Sequence, residues 1–65
     1  MTKFKTMTTE AAKSVAARLR HGDSKMAEKR AHMCAFDIAS NFSEYTEEDA
    51  YEAIMWKANS LAKLA

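Results

Sequence analysis

Residues 46–65, TEEDAYEAIMWKANSLAKLA, decide the fold of this chain. Tyr51, Ile54, Ala58, Leu61 and Ala65 recur at i, i+3, i+7, i+10 and i+14, which is one stripe of an α-helix. Thr46-Glu47-Glu48-Asp49 opens it as a variant capping box, with Asp where Glu or Gln is usual at the third helical position. Tyr45 and Ala50 occupy the positions of a hydrophobic staple. Three acids in the first turn match the positive end of the helix dipole, and Lys57 and Lys63 lie toward the negative end. At about 100° per residue, Trp56 falls nearly opposite the apolar stripe, among Asp49, Glu52, Ser60 and Lys63. A large aromatic on a polar face marks either a helix buried on both sides or a surface that meets a partner.

Working back toward the N-terminus, the spacing predicts two more helices. Ala27, Ala31, Cys34, Ala35, Ile38 and Phe42 form the main stripe of one that starts at Asp23 or Ser24 and ends near Ser40 or Phe42. Opposite lies a smaller apolar set, Met26, Met33 and Phe36. In a monomer both faces would meet neighbouring helices; the alternative is a face that docks on another molecule. Ala12, Val15, Ala16 and Leu19 mark the first helix, from about Thr9 to Arg20, with Thr8 or Thr9 as its cap. Gly22 follows as the left-handed residue that commonly closes a helix. Residues 1–7, basic and threonine-rich, read as a flexible arm, and 8–65 as one domain. The expected fold is all-α: a helical hairpin crossed by a third amphipathic helix.

Sixty-five residues bury only about 60% of the surface their unfolded chain exposes, so a domain this small needs support. One cysteine excludes an internal disulfide, and the sequence offers no Cys/His pattern for a structural zinc. Self-association remains, and a homodimer is expected. The uncharged runs are far shorter than the ~20 residues of a membrane span. With a lone thiol and no export leader, the expected location is the cytoplasm.

The formal net charge is +1, but it is unevenly placed. Residues 1–33 carry eight Lys/Arg against three acids, and residues 34–65 carry two Lys against six acids. Arg18, Arg20, Lys25, Lys29 and Arg30 gather around the first helical joint and could contact phosphates. No aromatic interleaves with them for base stacking, and no Asn or Gln stands beside them to read base edges. The acidic run Glu44, Glu47, Glu48, Asp49 and Glu52 reads chiefly as capping and dipole matching.

Catalytic chemistry finds little support. His32 and Cys34 are two apart on a helix, about 200° around its axis, and cannot converge on one ligand. Glu28 and His32, four apart, could share a metal only with further ligands from elsewhere. Gly22 is the sole glycine, so no phosphate-cradling loop exists. The expected protein is non-enzymatic, without metal or cofactor. Its expected role is an interaction module, adaptor or inhibitor, that binds and occludes a larger protein. The first candidate surface is Trp56 with Asp49, Glu52 and Lys63; the second is Met33 with Phe36. A nucleic-acid or nucleotide binder using the basic set is the alternative, and a purely self-assembling subunit is a third. In size and simplicity the chain resembles accessory proteins of phages and mobile elements, a likeness of format that no motif carries.

Overall fold

The computed structural model describes residues 2–64, with side chains from residue 3 to residue 63. Three helices follow one another: α1 Thr2–Arg20, α2 Ser24–Asn41 and α3 Glu47–Leu64. Each packs on the other two, giving a three-helix bundle.

The first joint is the tightest element in the chain. The Gly22 N–H donates to the Leu19 carbonyl and the Asp23 N–H to the Arg18 carbonyl, both at 3.0 Å. These two bonds close α1 in the Schellman pattern, which needs a left-handed residue at Gly22; its φ is +79°. Asp23 then turns from closing α1 to opening α2, its carboxylate accepting from the Met26 N–H at 3.1 Å. With no residue free between the two helices, α2 must fold back along α1.

The second joint is longer. The Phe42 N–H donates to the Ile38 carbonyl as α2 ends, and Thr46 Oγ1 accepts from the Asp49 N–H at 3.1 Å to start α3. The capping box closes on one side only, since the Asp49 carboxylate makes no return bond to the Thr46 N–H. Asp is one methylene shorter than the Glu usual at that position. Tyr45 does not serve chiefly as a staple; its ring packs on Phe4 at 4.4 Å and lies 6.4 Å from Phe42.

The N-terminal expectation is corrected here. Residues 2–7 are the first turns of α1, which begins at Thr2 rather than near Thr9. Lys3 and Lys5 oppose the dipole at that end, and no acid offsets them. Tertiary contacts override the local cost. Phe4 and Met7 pack against the core, and the Lys3 ammonium lies 5.6 Å from the centre of the Phe42 ring. Met1 lies outside the described residues.

The core is built mainly of alanine. Ala12, Ala16, Ala27, Ala31, Ala35, Ala50 and Ala58 are buried, joined by the larger Val15, Ile38 and Ile54. Alanine lets helix backbones approach closely, but each buries little area. At about 0.8 kcal/mol per buried methylene, such a core stabilises far less than one built of leucine. Phe4, Leu19, Tyr45, Tyr51, Met55 and Leu61 form a half-buried rim that supplies much of the remaining apolar contact.

Two polar contacts fix α3 on α1. The Arg20 guanidinium donates to the Leu61 carbonyl at 3.0 Å, satisfying one of the backbone acceptors left open in the last turn of α3. Near the other end of α1, the Lys57 ammonium donates to Thr8 Oγ1 at 2.7 Å, Thr9 Oγ1 at 3.2 Å and the Lys5 carbonyl at 3.3 Å. None of the helices is long and apolar enough to cross a membrane among the described residues.

Candidate functional site

Trp56 is 73% exposed on the outer face of α3. The third helix is therefore not buried on both sides, and the tryptophan is packed neither under the N-terminal segment nor against α1. It forms one wall of a shallow open depression of about 240 Å³ with Thr9, Lys57, Ser60 and Leu61. Asp49, Glu52 and Lys63 are all exposed. Their offsets of seven, four and seven residues place them on the same helical face as Trp56. The site is thus an aromatic with two carboxylates on its N-terminal side and an ammonium on its C-terminal side. The four expected residues share a surface.

The second expected pair also shares one. Phe36 is 60% exposed and Met33 58%, and with Met26 at 41% they run along the outer face of α2. The reading in which this set packs on α1 and α3 is overturned. Those helices take the Ala27, Ala31, Ala35 and Ile38 side instead. Met33 and Phe36 line an open depression of about 350 Å³ with His32, Asp37 and Glu47. Behind it the His32 imidazole stacks on Tyr51, with ring centres 4.1 Å apart and planes 14° from parallel. Each apolar set points away from the common core, so the two occupy different sides of the bundle.

The basic residues do not assemble into one face. Arg18 and Arg20 are two apart on α1 and point about 200° from each other. Arg20 is turned onto the carboxyl end of α3 through its bond to Leu61. Arg30 is half-buried at the groove between α1 and α2, where it lines an open space of about 460 Å³ with Met7, Glu10, Ser14, Cys34 and Asp37. Lys25 and Lys29 are exposed on α2. Five cations close in sequence are thus spread over several directions, and two acids share the groove with one of them.

Cys34 sits at the edge of the α2 stripe, half-buried in that same groove. Burial pushes its thiol above the ordinary value; Arg30 pulls it down, and Asp37 adds to the rise. A thiol held protonated is a poor nucleophile and a poor metal ligand. His32 faces elsewhere, its Nδ1 3.9 Å from a Glu47 carboxylate oxygen. Among the described residues no three His, Cys, Asp or Glu side chains come together as a metal site.

Sequence reasoning missed the Lys57 clamp, the Phe4–Tyr45–Phe42 cluster and the His32–Tyr51 stack. The first two had a signal: Phe4, Met7 and Ala11 extend the α1 stripe backward at i, i+3, i+7. The Thr8-Thr9 pair masked it by reading as a cap. The stack had none, because it depends on how α2 and α3 cross. No protein-family profile, curated protein or solved structure matches this chain.

Proposed function

We propose that this chain is a small non-enzymatic interaction module that binds a larger protein and occludes part of its surface. The outer face of α3 is the docking surface, with Trp56 as its anchor. The observation that carries this reading is the 73% exposure of Trp56 on a helix whose opposite side is buried in the core through Ala50, Ile54 and Ala58. Tryptophan is enriched among residues whose truncation costs about 2 kcal/mol or more of binding, because it buries a large rigid area when it fills a pocket. Asp49, Glu52 and Lys63 around it set orientation and reject wrong partners through charge. The helix presenting them is fixed to α1 at two points, by Lys57 and by Arg20, so little ordering is required on binding.

The test is affinity capture from the native host with the wild-type chain, Trp56→Ala and a Lys13→Ala control. Lys13 is exposed on α1, paired with Glu10 and not among the residues that line the Trp56 depression. A protein retained by wild type and Lys13→Ala but lost with Trp56→Ala supports the reading. Equal retention by all three overturns it. The competing polyanion reading, on Arg18, Arg20, Lys25, Lys29 and Arg30, is tested by duplex binding across a salt series. No affinity at low salt removes it.

A further inference from the structure

The charges along the exposed stripe of α2 specify what can lie on it. Take Met33 as the centre of that face. Met26 and Ser40 fall within about 20° of it, Lys29 and Phe36 lie on one flank, and Arg30 and Asp37 lie on the other. Neither Arg30 nor Asp37 has an ion-pair partner in its own chain among the described residues; the pairs present are Lys13–Glu10 and His32–Glu47.

Two helices meeting on this face about a two-fold axis can run parallel or antiparallel. A parallel pairing sets the Arg30 flank of one copy against the Lys29 flank of the other, so Arg30 lies beside Lys29, two cations, twice by symmetry, and Asp37 is left beside Phe36 without a cation. An antiparallel pairing centred on Met33 brings residues of the same flank together in reversed order. Arg30 then meets Asp37 of the second copy, twice by symmetry. Lys29 meets Phe36, laying its methylenes and ammonium over the ring, and Met26 meets Ser40. Met33 packs on its own counterpart at the axis. Every exposed apolar side chain of the stripe is covered, and each unpartnered charge of its flanks gains an opposite or a π-face.

We propose that this stripe is the two-fold interface of a homodimer in which α2 packs antiparallel on α2 of a second copy, with Met33 on the axis and Arg30 paired with Asp37 across it. The 18-residue helix is about 27 Å long, and Met26 to Ser40 extends the seam two turns to either side of Met33. An alanine core in so short a chain also gains from any further apolar burial. The proposal is independent of the Trp56 reading and leaves the α3 face open for a target.

Sedimentation equilibrium on the full chain tests it, with helicity by circular dichroism confirming that each variant folds. The expected mass is twice 7.3 kDa. Asp37→Arg weakens self-association at least about tenfold by setting like charges across the axis. Arg30→Asp does the same, and a mixture of the two variants restores the dimer mass. In a Cys34→Ala background, Met33→Cys oxidises to a covalent dimer, because residues on the axis of two closely packed helices fall within disulfide reach. Met26→Cys in that background does not. Trp56→Ala leaves the mass unchanged. A chain of 7.3 kDa at concentrations up to about 100 µM, where weak dimers populate, overturns the proposal. So does a dimer indifferent to both charge changes, one cross-linked as readily through Met26→Cys, or one dissolved by Trp56→Ala.

Discussion

The Lys57 ammonium on α3 stands 2.7 Å from the hydroxyl oxygen of Thr8 on α1, a side chain with no exposed surface. That hydroxyl in turn donates to the Phe4 carbonyl at 2.9 Å, one turn back along its own helix. A single lysine therefore reaches the first turns of α1 through a buried hydroxyl, and holds the N-terminal segment in register with α3. Replacing Thr8 with Val removes the acceptor and leaves the half-buried ammonium short of a partner. The expected loss is about 1–3 kcal/mol. For a domain of this size each kcal/mol lowers the melting temperature by roughly 4–8 °C, so thermal denaturation followed by circular dichroism reads it directly.

Removing residues 1–7 distinguishes a helical N-terminus from a flexible arm. An arm could be cut away without consequence. Here the deletion takes Phe4 from Tyr45, Met7 from the core and the Lys5 carbonyl from Lys57. The truncated chain is expected to melt at lower temperature and to lose more ellipticity than seven residues account for. Phe4→Ala alone should move stability the same way.

Trp56→Ala is expected to change stability by no more than about 0.5 kcal/mol, as for other surface positions free of special contacts. Its fluorescence in the wild-type chain should be red-shifted and readily quenched by iodide. A blue-shifted, protected emission would place the ring under cover instead.

The alanine core resists enlargement. Ala31 is fully buried on the side of α2 that faces α1 and α3. Ala31→Leu adds three carbons where backbones lie close, and is expected to cost about 1–3 kcal/mol through overpacking. An unchanged or raised melting temperature would show that the helices can part to admit it.

Cys34 makes stability depend on pH in a stated direction. Burial raises the thiol in the folded chain above its unfolded value, so folding disfavours the thiolate. The contribution is fully present below the unfolded value of about 8.5 and is lost as pH rises past it. Melting temperature should therefore fall more steeply above that pH in the wild type than in Cys34→Ala. At neutral pH, alkylation of Cys34 should be slower than that of a free thiol.

Much of the architecture was legible in the residues alone. Gly22 and Asp23 specified the first joint, and Thr46 the start of α3, because caps and turns are short-range chemistry between neighbours. The stripes of α2 and α3 named nearly all their buried residues by periodicity. The beginning of α1 was not legible. Lys3, Lys5 and two threonines argue locally against a helix, and what outweighs them lies some forty residues away in Tyr45 and fifty in Lys57. The candidate site divides the same way. The position of Trp56 opposite its stripe follows from arithmetic at 100° per residue. Its exposure does not, since a neighbouring helix could have covered it.

The sequence by itself determined that this chain makes three helices, where the second and third begin, and which side of each carries the apolar stripe. Those are set within a few residues of one another by hydrogen bonding, backbone preference and helical period. Only the tertiary structure decided which stripes find partners. Three helices around an alanine core have room for one buried face each. The second faces of α2 and α3 are left outside, where Met33, Phe36 and Trp56 now stand.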